Sequence, residues 1–243
     1  MKLRPFFSYY GGKWRDAPRL YPPPVHRVIV EPFAGSAGYA VRHYDRQVVL
    51  VEKSRELAAI WRFLIHEAEP GYLLSLPDLK PGQTIDDIEV PEVVRLLVGM
   101  WLNRGAAAPK RSPSSWMRSG VRPGSFWGPR VREVLASQVP HIRHWRVIEG
   151  DYTDAPDINA TWFIDPPYQQ AGRHYPHGSD GLDFPALGQW CGERKGQVIV
   201  CEATGADWLP FEHAADTKTP RKGKRSQEDI WLGGVQREQM TLL

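Results

Sequence analysis

Residues 28–38 read Val-Ile-Val-Glu-Pro-Phe-Ala-Gly-Ser-Ala-Gly, an apolar strand that runs into a turn of small residues. Small residues in such a turn let a ligand approach the backbone closely. The helix that we predict from about Ser36 would present its electropositive end to an electronegative group. A tight connection without a function has the same appearance, and the stretch lacks the three spaced glycines of the dinucleotide fingerprint. Alone, it is a weak indication of a nucleotide-binding loop.

The next predicted strand ends in an acidic residue, because Val48-Val49-Leu50-Val51 is followed by Glu52. An acid at the tip of the second strand is placed to bind ribose hydroxyls, although a solvated strand end would look the same. No Gly-Lys-Ser/Thr follows the turn, as a Walker loop requires, so an uncharged nucleoside is favoured over a phosphate. The order of strand, turn, helix, strand and acid predicts half of a Rossmann-like sheet that binds an adenosine-like ligand.

A third stretch, residues 161–168, reads Thr-Trp-Phe-Ile-Asp-Pro-Pro-Tyr. Its β-branched and aromatic start is typical of a buried strand, so Asp165 would lie at the carboxyl end, where open α/β sheets bind ligands. Pro166 and Pro167 have a fixed φ and no N–H, so the motif offers carboxylate and carbonyl acceptors for the two hydrogens of an amino group. Tyr168 offers a ring on which a base can stack. An ordinary turn is the alternative.

Three motifs, in this order, resemble those of the Dam-like DNA adenine methyltransferases. They are Tyr9-Tyr10-Gly11-Gly12-Lys13, Glu31-Pro32-Phe33-Ala34-Gly35 and Asp165-Pro166-Pro167-Tyr168. The resemblance covers most of the chain outside residues 70–145, and one departure is Ala37, where the family often has glycine. It implies a Rossmann-like methyltransferase sheet, mostly parallel with an antiparallel edge. Residues 1–70 and 146–243 would form the catalytic domain, and residues 71–145 an inserted target-recognition region.

The resemblance also implies that S-adenosylmethionine is the methyl donor and that N6 of an adenine flipped out of double-stranded DNA is the acceptor. Glu52 would bind the ribose, Asp151 would reach the adenine ring of the cofactor, and no metal is expected. The implied catalytic residues are Asp165, Pro166, Pro167 and Tyr168. The implied cofactor-binding residues are Tyr9, Gly12, Lys13, Glu31, Phe33, Ala34, Gly35, Ser36, Glu52, Asp151, Tyr152 and Asp165.

The distribution of charge says more than the net charge, which is only +3. Residues 105–132 contain six basic and no acidic residues, among the prolines, glycines and serines typical of a loop. Such a segment can neutralise phosphates, and its aromatic residues can stack on bases; a solvated loop is the alternative. A second basic cluster lies near the carboxyl end. The predicted DNA-binding residues are Lys110, Arg111, Ser112, Ser114, Arg118, Arg122, Lys222 and Arg225.

The remaining sequence predicts one α/β domain with a sizeable insert, since 243 residues with 42% hydrophobic content can bury a core. Two cysteines without metal-ligand spacing suit a reducing compartment. The lack of a long apolar run at the amino terminus predicts a cytoplasmic protein with no membrane partner. The resemblance implies that the cell is bacterial or phage-infected. Apolar spacing predicts helices over 13–21, 56–67, 91–102, 130–138 and 183–194, and an antiparallel hairpin of strands around 230–232 and 238–243.

Two alternatives stay open at this stage. A methyltransferase that acts on cytosine, RNA or a protein amide needs the same amine-holding geometry, although the amino-terminal box and the leading Asp165 favour adenine. A catalytically silent DNA-binding protein of the same fold is the second, and it need not take up the cofactor. A role in restriction-modification, replication marking or phage genome protection is compatible with a DNA methyltransferase.

Overall fold

Buried runs rich in β-branched and aromatic residues form most strands of a single sheet. The computed structural model describes residues 2–80, 82–120, 124–170, 172, 175, 177–218 and 225–234. The strands are β1 (Val28–Glu31), β2 (Gln47–Glu52), β3 (Arg146–Glu149), β4 (Ala160–Ile164), β5 (Gly196–Ala203), β6 (Glu212–Lys218) and β7 (Arg225–Gly234). The α-helices are α1 (Ala17–Leu20), α2 (Arg55–Arg62), α3 (Pro70–Ser75), α4 (Glu92–Trp101), α5 (Ser115–Arg118), α6 (Pro129–Gln138) and α7 (Phe184–Gly192).

The strands lie in the order β3-β2-β1-β4-β5-β7-β6. Strands β1 to β5 pair in parallel, whereas β7 is antiparallel to both β5 and β6. The fold is therefore a Rossmann-like α/β fold whose mostly parallel sheet has an antiparallel edge, as the sequence predicts. The strand order reverses between the neighbours β1 and β4, and a crevice outside the carboxyl ends of two such strands is where open sheets bind ligands.

Both faces of the sheet are covered. Successive residues of a strand point to opposite sides, so one strand contributes to the cores on both faces. Val48 and Leu50 of β2 belong to the core that also contains buried residues of α2, α4 and α6. Val49 and Val51 belong to the core on the other face, with α7. Burial on both sides explains why these strands are continuously apolar rather than alternating.

The segment 71–145 packs into the first of these cores. Leu73, Leu97 and Leu135 are fully buried in the same cluster as Ile29 of β1. Helices α3 and α6 contact each other, and α4 lies against α2. The segment therefore forms part of the helical layer over the sheet, and its described residues share the core of the sheet.

The helix predicted from about Ser36 is wrong. Residues 34–38 form a turn in which Gly35 and Ala37 have positive φ angles of 45° and 49°, and only a short 3₁₀ helix, Ala40–His43, follows. Two left-handed residues so close together cannot start a right-handed helix. The five helices predicted elsewhere are present with bounds that differ by a few residues. The first is divided into a 3₁₀ helix, Lys13–Arg15, and α1, and the second continues beyond α2 as a π-helix, Phe63–Glu67.

At the edge of the sheet, β6 and β7 form an antiparallel hairpin that the sequence does not predict. β7 contains residues 230–232 and pairs with β6. The expected partner, 238–243, lies outside the described residues. Of the helices in the described ranges, none combines the length and the apolar character needed to cross a membrane.

Leu97→Ala should lower the stability of the whole molecule, because Leu97 is fully buried in the core that the segment shares with the sheet. The loss expected for such a truncation is about 2–5 kcal/mol. The exposed Leu74 (50% exposed) is the matched control, and Leu74→Ala should change the free energy of unfolding by less than about 0.5 kcal/mol. Denaturant unfolding followed by tryptophan fluorescence and far-ultraviolet circular dichroism should show one coincident transition. A separate early transition in Leu97→Ala would show that the segment unfolds independently.

Candidate active site

A cavity of about 370 Å³ opens at the point where the strand order reverses. This volume is in the range of small-molecule sites. Its walls come from the turn after β1, the tip of β2, the corner after β4 and the amino-terminal Tyr-x-Gly-Gly-Lys box. All the predicted cofactor-binding residues line it: Tyr9, Gly12, Lys13, Glu31, Phe33, Ala34, Gly35, Ser36, Glu52, Asp151, Tyr152 and Asp165.

The turn after β1 is fixed from several sides. The Gly35 N–H donates to Oε2 of Glu52 at 2.8 Å, and the Gly35 carbonyl accepts from the indole N–H of Trp61 at 2.8 Å. A Cβ atom at Gly35 would lie 2.8 Å from the Tyr9 ring, in addition to the strain of its positive φ. Glycine is therefore required here both by the backbone and by the close approach of Tyr9.

Two buried carboxyl groups lie beside this turn. Glu31 is 2% exposed, and its Oε1 accepts from the Ala40 N–H at 2.5 Å. Burial raises the pKa of Glu31 to about 8. Burial also raises the pKa of Glu52, although hydrogen bonds from the backbone N–H groups of Ser54 and Gly35 oppose the shift. Both groups line the cavity and keep acceptor capacity there, since even a protonated carboxyl group retains an acceptor oxygen.

A buried charge network holds the corner after β4. The ammonium group of Lys13 lies 2.9 Å from Oδ1 of Asp165 and 3.4 Å from Oε1 of Glu228. Burial raises the pKa of Asp165 to about 6, with the charge of Lys13 acting against the shift. The pKa of Lys13 is raised above its ordinary value, because Asp165 and Glu228 together outweigh its burial. Lys13 and Asp165 therefore form an ion pair at neutral pH.

Tyr168 belongs to the same network. The Lys13 ammonium donates to the Tyr168 hydroxyl at 2.5 Å, and this hydroxyl donates to Oε1 of Glu228 at 2.6 Å. Of the Asp-Pro-Pro-Tyr motif, Asp165 and Pro167 line the cavity, whereas Pro166 is buried and Tyr168 packs against the core. The structure thus places Tyr168 behind the cavity wall, as a support for Lys13, and does not present its ring to the cavity.

Glu228 and Tyr175 also contribute to this site. Glu228 lies on β7, and no motif marks it. Tyr175 lines the cavity, with its ring centroid 5.9 Å from that of Tyr9 and 5.7 Å from that of Tyr10. The sequence signal for Tyr175 was the amino-terminal box, Tyr9-Tyr10-Gly11-Gly12. Its two glycines leave room for a further aromatic ring beside the two tyrosines.

Carboxyl groups outnumber lysines around the cavity, although Glu31, with a pKa of about 8, is largely protonated at neutral pH. Within the described ranges, five carboxyl groups and two lysines line it. Both lysines are paired, Lys13 with Asp165 and Lys53 with Asp151 at 2.8 Å. Phe33 and Tyr152 stack on one another in the wall, with centroids 5.5 Å apart. The cavity therefore suits a cationic ligand that carries a flat ring, and it disfavours phosphate groups.

The predicted DNA-binding residues have different environments. Arg111 pairs with Asp86, and the Ser114 hydroxyl caps α5 by accepting from the Met117 N–H at 3.2 Å, so the charge of the first and the acceptor capacity of the second are already engaged. The other predicted residues in the described part of this loop, Lys110, Ser112 and Arg118, are exposed. Arg225 is the first residue of β7. Arg122 and Lys222 lie outside the described residues.

The chain matches no protein-family model and no curated protein sequence. Among solved structures, it is similar to a conserved hypothetical protein from Streptococcus pyogenes, with a TM-score of 0.36 and 11% sequence identity over 85% of each chain. The assignment of the fold therefore rests on the strand order and pairing described above.

The substitution Glu31→Gln should stabilise the folded protein more, relative to the unmodified protein, as the pH rises. The pKa of Glu31 in the folded protein is about 8, above the ordinary 4.5, so the folded state retains a proton that the unfolded state releases. The contribution of Glu31 to stability therefore falls from about pH 4.5 to about pH 8, and glutamine cannot ionise. The free energy of unfolding of the variant relative to the unmodified protein should rise between pH 5 and pH 8.5 in denaturant titrations. A difference that is independent of pH would show that Glu31 titrates normally.

Proposed function

We propose that this protein is an S-adenosylmethionine-dependent DNA methyltransferase that modifies N6 of adenine. One observation carries the proposal: the glycine turn after β1 and the Asp-Pro-Pro-Tyr corner after β4 open onto one cavity. A methyl donor held by the first and an amino group held by the second would meet there. The choice of DNA adenine rests on the resemblance of the three motifs and on their order.

The residues of the cavity fit this cofactor. S-adenosylmethionine would supply an electrophilic methyl group, which leaves its sulfur with the bonding electron pair remaining on sulfur. The carboxyl group of Glu31 can accept a hydrogen bond from the ammonium group of the cofactor, whose positive charge would also favour the ionised form of Glu31. The carboxyl group of Glu52 can accept hydrogen bonds from the ribose hydroxyls of the cofactor. The Phe33–Tyr152 wall suits its adenine ring. A nicotinamide dinucleotide fits less well, because its pyrophosphate would face carboxylates in a cavity whose lysines are already paired.

Asp165 would act on the substrate amine. Its carboxylate and a carbonyl of the Pro166-Pro167 pair would accept the two hydrogens of the adenine amino group. This localises the nitrogen lone pair, which is otherwise delocalised into the ring. The nitrogen then forms a bond to the methyl carbon as the carbon–sulfur bond breaks, and afterwards releases one proton to water. Such positioning of reactants can contribute up to about 7–11 kcal/mol, so no strong base is needed.

Lys13 would keep Asp165 in the form that this step needs. An ionised carboxylate only accepts hydrogen bonds, whereas a protonated one also donates. The ammonium of Lys13 at 2.9 Å favours the ionised form and fixes the orientation of the carboxylate. Glu228 and Tyr168 in turn hold Lys13. An adenine inside a duplex cannot reach this pocket, so the target base would have to be flipped out.

Asp165→Ala should abolish methyl transfer and leave cofactor affinity within a few-fold, because Asp165 holds the amine and the other cofactor-lining residues remain. The assay is transfer of labelled methyl groups from S-adenosylmethionine to unmethylated duplex DNA, followed by digestion to nucleosides. Cofactor binding is measured by calorimetry. Asp157→Ala is the control, since Asp157 is an exposed carboxylate paired with Lys195, and it should retain full transfer.

The outcomes of that assay separate the candidate functions. N6-methyladenine in the digest supports the proposal, and methylcytosine or methylation of RNA alone would point to another amino-methyltransferase. Failure to bind the cofactor would indicate a silent DNA-binding protein. Near-normal turnover by Asp165→Ala would falsify the assigned role of the corner after β4.

The rate of methyl transfer should fall as the pH decreases through about 6, because protonation of Asp165 at this pKa removes an acceptor. Single-turnover rates between pH 5 and pH 8, with saturating cofactor and DNA, should show this acidic limb. Asp165→Asn should be slow at every pH and lack the limb. A profile of the unmodified protein that is flat across pH 6 would count against ionised Asp165 as the acceptor.

A further inference from the structure

A second groove, of about 360 Å³, adjoins the cavity on the other side of the amino-terminal box. We call it the Tyr10 groove; it is lined by Tyr10, by residues 103–108 and by Lys110. Tyr10 lines both the groove and the cavity. The two spaces are therefore neighbours, and the ring of Tyr10 lies at their boundary.

The groove is built by hydrogen bonds between the box and the segment after α4. The Tyr10 N–H donates to the Ala106 carbonyl at 3.2 Å, and the Lys110 N–H donates to the Gly99 carbonyl at 3.1 Å. The Gly105 N–H donates to the Ser8 hydroxyl at 2.9 Å. Three alanines in succession, residues 106–108, leave room above this backbone. The groove thus has a fixed, small-residue wall beside the entrance to the cavity.

The charged lining residues are basic on the groove side of Tyr10 and mainly acidic on the cavity side. Arg104 and Lys110, both exposed, line the groove, and no acidic side chain does so in the part of the chain that the structure describes. The adjoining cavity has five carboxyl groups. A ligand with a phosphodiester chain is attracted to the first space, whereas the second offers it no unpaired lysine among the described residues. The boundary therefore favours phosphates outside and uncharged or cationic groups inside.

Tyr10 presents an apolar ring at this boundary. Its side chain is among the exposed large hydrophobic groups, with 44% of the residue surface accessible. The Tyr10 ring meets Tyr175 edge-on at 5.7 Å, and the Tyr175 hydroxyl donates to the Tyr10 carbonyl at 3.4 Å. The backbone and one edge of Tyr10 are thus supported, and the exposed part of the ring can stack on a base.

We infer that the Tyr10 groove holds the DNA strand next to the flipped adenine. Arg104 and Lys110 bind its phosphates, and the Tyr10 ring stacks on the base that flanks the extruded nucleotide. This inference rests on the proposed function and deepens it, because it assigns the place where the target strand enters the cavity. Phosphate contacts position the strand, and the ring keeps the flanking base in place.

Removal of the two groove charges tests the phosphate contacts. The variant Arg104→Ala/Lys110→Ala should bind unmethylated duplex DNA with a weaker salt dependence, the slope of log K against log[salt] decreasing by about 1.8 for two phosphates. The control Arg27→Ala/Lys195→Ala removes two exposed charges that precede β1 and β5, at the opposite edge of the sheet. Fluorescence anisotropy at four salt concentrations measures both. The control should keep the slope of the unmodified protein.

Substitution of the ring tests the stacking. Tyr10→Ala should weaken duplex binding about 5- to 150-fold, the equivalent of about 1–3 kcal/mol for one stacked base, with an unchanged salt slope. Tyr10→Phe keeps the ring and should restore the affinity. A loss in Tyr10→Phe equal to that in Tyr10→Ala would overturn the stacking role.

The two proposals fail in distinguishable ways. If the unmodified protein neither binds S-adenosylmethionine nor transfers methyl groups, the proposed function is wrong. If it transfers methyl groups to DNA but the groove variant has the same salt slope as the control, the groove is not the path of the strand. The cofactor affinity of Arg104→Ala/Lys110→Ala should equal that of the unmodified protein, which separates a lost DNA contact from a damaged fold.

Discussion

The arrangement of the site depends on the buried ion pair between Lys13 and Asp165, with Glu228 as its third member. These residues come from the amino-terminal box, the corner after β4 and the antiparallel strand β7, so one ammonium group connects three distant parts of the chain. Removal of Lys13 would leave two carboxylates without their counter-charge, and the loss of one partner of a buried pair costs about 3–5 kcal/mol. The hydroxyls of Tyr168 and Tyr21 both donate to Glu228, at 2.6 and 2.7 Å. The negative charge of Glu228 is therefore stabilised by more than the lysine, and the box is held against the end of the sheet.

The sequence predicts those parts of the fold whose signals are local. The apolar runs of β1, β2 and β4 and the residues at their carboxyl ends are visible in the chain, and strand order then brings Glu31, Glu52 and Asp165 together. β6 was missed because its residues, Glu-His-Ala-Ala-Asp-Thr-Lys, lack the alternation of a half-buried strand. Glu228 was missed for another reason: its partner Tyr168 lies 60 residues away, and only the pairing of β7 with β5 brings it near.

Tryptophan indoles hold the irregular segments around the site. Trp61 donates to Gly35, Trp101 to the Phe6 carbonyl at 3.1 Å and Trp14 to the Leu3 carbonyl at 2.9 Å. Each bond joins a bulky, largely buried ring to a backbone oxygen that no helix or strand satisfies. The abundance of this residue, ten in 243, thus has a structural use that composition alone did not reveal. These indole hydrogen bonds fix the distances between the insert, the amino-terminal box and the turn after β1.

The turn after β1 contains a strained residue, Ala37, that the surrounding hydrogen bonds stabilise. Ala37 is fully buried with φ at 49°, a conformation that costs a non-glycine residue about 1–2 kcal/mol. The hydrogen bond from its N–H to the Ala34 carbonyl, at 2.6 Å, and the anchoring of Gly35 by Glu52 and Trp61 offset the strain. Strain of this kind persists where the surroundings over-determine the backbone, as they often do beside a ligand. Because the turn is already fixed, a ligand would not have to order it, and less of the binding free energy would be lost on association.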